Sequence, residues 1–488
     1  MPMLRDAMNF PRIIISALRG GSGKTILSIG IIAAWKALGK KISPFKKGPD
    51  YIDAGWLALA AEQPCHNLDT FMIEEETVLQ SFLSNSANGD IAVIEGNRGL
   101  FDGIDLEGRT STAELAKLLD SPVILCIDAT KTTRSMAAVV MGCVRFDPDV
   151  KIKGVILNRV AGSRHERILR RSIEHYSGVP VIGAVPKLDT QNFPERHMGL
   201  IPTPEHEWAT DSIAAVSRVA SKYIDLETLE IIARRAGYPP GADRPHKSIP
   251  VEGKSSPHRK TRPFPANTHP KPRIGIIKDS AFQFYYPENI AALEAAGAET
   301  IIISPLTGQT IPRVDALYIG GGFPETHARE LADNEHFRGR LKALAEDGLP
   351  VYAECGGLMY LGEELVLEGK SYPMAGVLPV VFGFSNTPAG HGYTIVSVGR
   401  QNPFFEIGTE LKGHEFHYSS VLKWNGDDKD LVFDMKRGSG LIHKRDGACY
   451  KNVLATYTHI HALGAPGWAP AVVRAARSYM DKIAGAIL

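Results

Sequence analysis

"RIIISALRGGSGKTILSIG", residues 12–30, decides how the N-terminal half of this chain reads. A run of β-branched residues enters a glycine-rich turn, and a helical pattern leaves it. A strand, turn and helix in that order aim backbone N–H groups and a helix N-terminus at one point, where phosphate can sit. Lys24 can then reach the β- and γ-oxygens, and Thr25 can ligate Mg²⁺. Leu18 stands where the G-x-x-x-x-G-K-[ST] pattern has its first glycine, but Gly20 and Gly21 still supply conformational freedom. Gly21, Gly23, Lys24 and Thr25 are the expected nucleotide-binding residues.

Further parts fit a site that moves phosphate. "FKKGPDYID" follows the second apolar run and puts Lys46, Lys47, Asp50 and Asp53 at a strand C-terminus, where ligands of α/β sheets bind. Carboxylates there can hold Mg²⁺ or orient an acceptor, and lysine can neutralise developing charge. Glu95 closes the run "IAVIEG", which makes Thr25, Asp53 and Glu95 the expected metal ligands. Asn158, ending "GVILNR", is a candidate for the base edge.

The 488 residues suggest roughly two to four domains. Acidic and basic residues nearly cancel, leaving +1, so neither a nucleic-acid footprint nor an acidic tail is present. Five scattered cysteines without CxxC spacing argue for a reducing compartment and against a zinc knuckle. Asp6 and Pro11 precede any apolar run, unlike a signal peptide, and no apolar run reaches about 18 residues. A cytoplasmic protein with no membrane partner is expected.

Apolar runs at 12–17, 40–46, 91–96, 122–128, 153–159 and 180–186 alternate with helical patterns. This is the texture of a doubly wound, mostly parallel sheet covered on both faces. Helices are expected after Thr25, from Ser111 with Glu114 at the capping-box position, and over about 164–177. Between Gly237 and Pro272 the chain is rich in proline and basic residues without apolar period, which reads as an extended linker. A second α/β alternation opens at "RIGIIKD" (273–279). The expected domains are 1–236, a linker at 237–272, and 273–488.

In the second half, "VYAECGGLMYLGEE" puts Cys355 at a sharp strand-to-helix turn backed by Gly356 and Gly357. That is the grammar of a nucleophile elbow with sulfur as nucleophile, and the helix N-terminus should lower the thiol pKa. "YIGGGFPE" adds a glycine turn whose N–H groups, with that of Gly356, can form an oxyanion hole at Gly321 and Gly322. "TYTHIHALG" supplies His459 and His461, alternate residues of a late strand that share a face.

A phosphate loop followed by a cysteine elbow resembles the cobyrinate a,c-diamide synthases, glutamine-dependent amidotransferases of corrinoid biosynthesis. "PFKKGPDYIDAGW", "NLDTF", "EGNRGLFDG", "STAELAKLL", "FPERHMGLIPT", "AFQFYYPENIAALEAAGA", "GGGFPE", "AECGGLMYL" and "GHEFHYS" echo that family in order. The resemblance implies a class I glutaminase domain behind a dethiobiotin-synthetase-like ATP domain. Cys355, activated by His459, would free ammonia from glutamine. With ATP and Mg²⁺, the N-terminal domain would turn two tetrapyrrole acetates into acyl phosphates for ammonia to displace. Lys46, Asp50, Tyr51, Asp53, Glu195, Arg196 and His197 would face the cobyrinate-like acceptor.

Several positions depart from the pattern. Where many class I glutaminases carry His-x-Glu, this chain has His459-Ile460-His461, so no third triad acid is expected and His461 is left structural. Asn97 and Arg98 replace small or apolar residues beside the acceptor site. That leaves siroheme or nickel-sirohydrochlorin as alternative rings. Arg19 occupies the signature-lysine position of MinD/ParA loops. It would reach phosphate in cis or across a homodimer, or lie in solvent. A MinD/ParA-like switch with an inactive glutaminase domain is the reading from another functional class. Phe282, Phe284, Tyr285 and Tyr286 read either as core or domain-interface residues or as stacking surface for the macrocycle.

Overall fold

A computed structural model of the chain describes residues 10–187, 195–196, 199–200, 208–237, 239, 270–385 and 387–485. The chain divides into two compact units, Met1–Lys247 and Ser248–Leu488.

In the first unit the six apolar runs become β1 (Arg12–Ala17), β2 (Ile42–Lys47), β4 (Ile91–Glu95), β5 (Val123–Asp128), β6 (Ile152–Val160) and β7 (Val181–Pro186), and a three-residue strand outside those runs, β3 (His66–Leu68), joins them. They form a seven-stranded sheet in the order β3-β2-β4-β1-β5-β6-β7. Every pairing in it is parallel. Helices α1 (Lys24–Ala37), α2 (Ile52–Ala61), α3 (Glu75–Ser86), α4 (Thr112–Leu118), α5 (Ser135–Phe146), α6 (Ser163–Ser177), α7 (Ala209–Tyr223) and α8 (Leu226–Arg234) connect and follow the strands. Central β1 is buried at every residue, and α1 is buried almost throughout from Leu27 to Trp35. That explains a helix with so little polar surface. Ser111 caps α4 as read, its hydroxyl accepting from Glu114 N–H at 3.2 Å. Because all strands run one way, the turns after β1, β2, β4 and β5 gather along one sheet edge. A two-residue pair, β8 (Glu195–Arg196) and β9 (Gly199–Leu200), is antiparallel.

The second unit continues with β10 (Arg273–Ile277), β11 (Glu299–Ile303), β12 (Ala316–Ile319), β13 (Val351–Glu354), β14 (Glu364–Leu367), β15 (Lys370–Pro373), β16 (Val380–Phe384), β17 (Gly390–Val398), β18 (Glu410–His417), β19 (Ser419–Trp424), β20 (Leu431–Arg437), β21 (Arg445–Tyr450), β22 (Val453–Thr456) and β23 (His459–Ile460). Its ten-stranded sheet runs β11-β10-β12-β13-β22-β21-β20-β17-β18-β23. The first five strands in that order pair in parallel and the rest antiparallel. A separate four-stranded sheet, β15-β14-β16-β19, lies beyond the elbow. Helices α9 (Pro287–Ala295), α10 (Ala328–Asp333), α11 (Glu335–Glu346), α12 (Gly356–Leu361) and α13 (Trp468–Gly485) complete the unit. Phe282, Phe284, Tyr285 and Tyr286 are all buried, Phe282 and Tyr285 within the hydrophobic core of this unit. Among the described residues no helix is long and apolar enough to cross a membrane.

Candidate functional site

In the first unit, β1 ends at Ala17 and α1 starts at Lys24, so residues 18–23 form the turn. Gly21 and Gly23 both have positive φ, 71° and 88°. A side chain at 23 would be strained by that backbone, and its Cβ would lie 2.3 Å from Asn158 Nδ2. Asn158 holds the turn from behind: its amide donates to Ser22 O at 2.9 Å, and its Oδ1 accepts from Arg159 N–H. The residue read as a base-edge candidate therefore buttresses the phosphate loop. The Arg19 side chain is 77 % exposed, with its guanidinium 3.8 Å from Asp128.

Beside the turn sits a buried charge cluster. Lys46 Nζ, fully buried, lies 2.7 Å from Asp53 Oδ2 and 3.1 Å from Glu95 Oε1. Thr25 Oγ1 is 2.6 Å from Glu95 Oε1 and 3.3 Å from Asp53 Oδ2. The N–H of Asp53 donates to Asp50 Oδ1 at 2.9 Å, which places Asp50 just ahead of α2, with Tyr51 at its N-cap. Burial drags the Lys46 ammonium down, but Asp53, Glu95 and Asp50 overcome it and hold it above its usual range. Burial lifts Glu95 to about 7, with Lys46 opposing and Asp53 reinforcing the rise. Asp50 rises to about 6 through burial and Asp53. For Asp53 burial is outweighed by Lys46, and its carboxyl is lowered. Lys46 and the strand ends thus hold three acids at close quarters with different protonation tendencies.

Mg²⁺ prefers six oxygens, keeps several waters, and takes few protein ligands beside nucleotide phosphate. Among the described residues no group of three or more His, Cys, Asp or Glu stands ready to hold a metal alone. The cluster does contain Glu95 Oε2, buried and without a hydrogen-bond partner, next to the Thr25 hydroxyl and the Asp53 carboxylate. One orphaned oxygen among two carboxylates and a hydroxyl fits a magnesium ion shared with phosphate.

Asn97 packs against the turn that carries Asp50: a Cβ at Gly48 would lie 2.8 Å from its Nδ2. Exposed Arg98 follows it with φ 49°. Of the "FPERHMGLIPT" stretch, only the backbones of Glu195–Arg196 and Gly199–Leu200 are described; His197 lies outside the described residues, as does most of the Pro-rich segment after Gly237.

In the second unit, Cys355 sits between β13 and α12 with φ 45° and ψ −97°. A non-glycine residue held there is strained, as expected of a nucleophile elbow. Its N–H donates to Thr456 O at 2.8 Å, tying it to the neighbouring strand that leads to His459. The glycine turn 320–322 touches both residues' surroundings. A Cβ at Gly321 would lie 2.4 Å from His459 Cε1, and one at Gly356 would lie 2.9 Å from Gly322 N. Only glycines permit so close an approach. Tyr285 braces this turn, accepting from Gly320 N–H at 2.6 Å and donating to Ile277 O.

Two expectations are corrected here. The N–H of Gly356 at the start of α12 does favour the thiolate, but burial, with Glu325 adding to it, outweighs it and holds Cys355 well above its usual range. Deprotonation therefore has to be coupled to a base. An acid does stand beside His459, although position 461 is histidine: Glu354 Oε2 lies 3.4 Å from His459 Nδ1. It is the residue before the nucleophile, and no spacing rule pointed to it. Only the adjacency of β13 and β22, which pair in parallel from Val351↔Val453 to Glu354↔Thr456, brings it to His459. His461 turns the other way, to Glu288 at 3.5 Å and the ring of Tyr286 at 4.6 Å, in keeping with a structural role.

The fold and the two clusters define a class, a P-loop nucleotide-binding unit and a glutamine amidotransferase unit in one chain. Residues 13–201 match the CobQ/CobB/MinD/ParA nucleotide binding domain, and residues 273–466 match the CobB/CobQ-like glutamine amidotransferase domain. The chain is 41% identical to a cobyrinate a,c-diamide synthase of Magnetococcus marinus, over 95% of this chain and 97% of that one. It is 38% identical to those of Methanosarcina acetivorans, covering 97% of each chain, and of Dehalococcoides mccartyi, covering 97% and 99%. The chain belongs to the cobyrinate a,c-diamide synthase family.

Proposed function

We propose that this chain uses glutamine and ATP to amidate the a and c acetate carboxylates of cobyrinate or hydrogenobyrinate, a carbon–nitrogen ligation of cobalamin biosynthesis. The observation that carries it is one chain holding both a strained, buried Cys355, tied by its N–H to the strand that leads to His459 and bordered by the glycine turn that also borders His459, and a phosphate loop beside the Lys46–Asp53–Glu95 cluster.

Cys355 Sγ attacks the glutamine amide carbon while its proton passes to His459. The oxyanion is met by backbone N–H groups among Gly321, Gly322 and Gly356. The proton returns to the leaving nitrogen, ammonia departs, and water cleaves the thioester to glutamate. In the first unit a carboxylate oxygen of the ring attacks the γ-phosphorus of ATP and ADP leaves. Direct displacement of oxide from a carboxylate is prohibitive; displacement of phosphate by ammonia is not.

Lys24 and the turn N–H groups bind the phosphates, and Lys46 offsets charge that builds during transfer. Thr25, Asp53 and Glu95 would hold Mg²⁺, which when bound screens the phosphate oxygens. Asp50, with its carboxyl raised to about 6 by burial, is suited to take the proton lost by attacking ammonia. Tyr51, Glu195, Arg196 and His197 belong to the acceptor side of this reading. The Pro-rich segment 237–272 joins the two halves.

Mass spectrometry of products from a tetrapyrrole panel, with ATP and glutamine, tests the assignment. Amidation of cobyrinate in preference to sirohydrochlorin derivatives supports it; the reverse preference replaces the ring but keeps the reaction. Lys24→Ala should remove both amidations and spare glutamine hydrolysis.

A further inference from the structure

Glu354 has two oxygens and four donors around it, all in the interior of the second unit. Oε1 accepts from Ile460 N–H at 3.1 Å and lies 3.3 Å from the Tyr352 hydroxyl. Oε2 accepts from the Tyr318 hydroxyl at 3.2 Å and faces His459 Nδ1 at 3.4 Å. Residues 354 and 318 are both 0 % exposed, and His459 is 2 % exposed, so water does not compete for these bonds.

The direction of each proton follows from the next link. Ala462 N–H donates to Asn289 Oδ1 at 2.7 Å, which fixes the amide so that Nδ2 is the donor end. Nδ2 then donates to Ile460 O at 3.0 Å and to the Tyr318 hydroxyl at 3.2 Å. Having accepted there, Tyr318 sends its own hydrogen to Glu354 Oε2. A carboxylate oxygen already used as an acceptor calls for a donor from the imidazole, which makes Nδ1–H the tautomer of His459. The ring is bordered on two sides. Gly321 lies against Cε1 on one side, and the His414 ring stands edge-on, 4.8 Å away, on another.

We infer that Glu354 is the positioning residue of the glutaminase reaction, holding His459 as the Nδ1–H tautomer so that Nε2 is the nitrogen that takes the Cys355 proton. This rests on the glutaminase reading above. When Sγ bonds to the amide carbon, the thiol proton moves to Nε2, and Nδ1–H remains on nitrogen, its hydrogen bond to Glu354 stabilising the imidazolium. Nε2 then returns the proton to the leaving ammonia. No proton transfers to Glu354. The acid that other triads carry beyond the histidine comes here from the residue before the nucleophile, and Tyr318, Tyr352 and Asn289 hold it in place.

The test uses the full chain labelled with ¹⁵N-histidine, the His459 signal being assigned by its loss in His459→Asn. The wild-type protein should show a protonated Nδ1 and an unprotonated Nε2. Glu354→Gln should lose that signature and lower kcat for glutamine hydrolysis on the order of 10²- to 10⁴-fold, with KM changed less than about twofold. A wild-type ring protonated at Nε2 would overturn the inference even if Glu354→Gln fails to fold. So would a folded Glu354→Gln with wild-type kcat while Cys355→Ala is inactive, and the glutaminase reading would then stand. Glutamine hydrolysis retained by Cys355→Ala would instead overturn that reading.

Discussion

Lys46 is the residue on which the first cluster depends. A fully buried ammonium between Asp53 and Glu95 makes those acids tolerable in the interior; without it, one charge is left uncompensated. Lys46→Met should therefore destabilise the protein by about 3–5 kcal/mol and abolish amidation, as urea unfolding and turnover assays would show. An unchanged unfolding midpoint would mean that the cluster carries no such strain. At Cys355 the expected outcome is separation of activities: Cys355→Ala should lose glutamine-dependent amidation and keep ammonia-dependent amidation. Equal loss of both would argue against independent sites. Among the candidate site residues picked out from the sequence, Lys46, Glu95 and Cys355 stand at ends of apolar runs, and Lys24 and Asp53 in the first turns of the helices that follow β1 and β2, where local pattern and chemistry coincide. Glu354 was equally visible in "AECGG", but its meaning depends on a strand pairing with residues about a hundred positions away. The helix start at Gly356 is visible in the sequence, but the burial that outweighs it and raises the Cys355 thiol is not.

Among the elements, the β1–α1 turn is the most tightly specified. Gly23→Ala combines a φ of 88° with a Cβ 2.3 Å from Asn158 Nδ2. It should cost about 1–2 kcal/mol and weaken nucleotide binding on the order of tenfold or more, measured by melting and by nucleotide titration. Unaltered affinity would show that the turn is not the phosphate site. β18 carries a different liability. Burial, with His459 and His391 adding, holds His414 well below the ordinary histidine range, so it is neutral in the fold. The unfolded chain binds a proton there near pH 6.5, so the unfolded state gains protons as pH falls. The stability contribution is present above that pH and is lost below it, by up to about 1.4 kcal/mol per pH unit for one such group. Thermal unfolding should show this loss between pH 7 and 5, and His414→Gln should flatten it; equal slopes would exclude His414 as its source. The strands of the parallel sheet were readable because both-faced burial writes continuous apolar runs. The antiparallel extension from β21 to β23 was not, since runs such as "YTIVSVG" and "HEFHYSSV" name strands without naming their neighbours.

For the molecule as a whole, near full-length similarity to cobyrinate a,c-diamide synthases means that both chemistries are family properties, not a chance fusion. Nitrogen freed at Cys355 is expected to end on a carboxyl group activated beside Lys46. The direct measurement gives the wild-type chain cobyrinate, ATP and glutamine labelled with ¹⁵N in its amide, and follows the label by mass spectrometry. The account predicts ¹⁵N in both the a and c amides, and none when ATP is withheld. Glutamine hydrolysed in the presence of ATP with no label on the ring would contradict it.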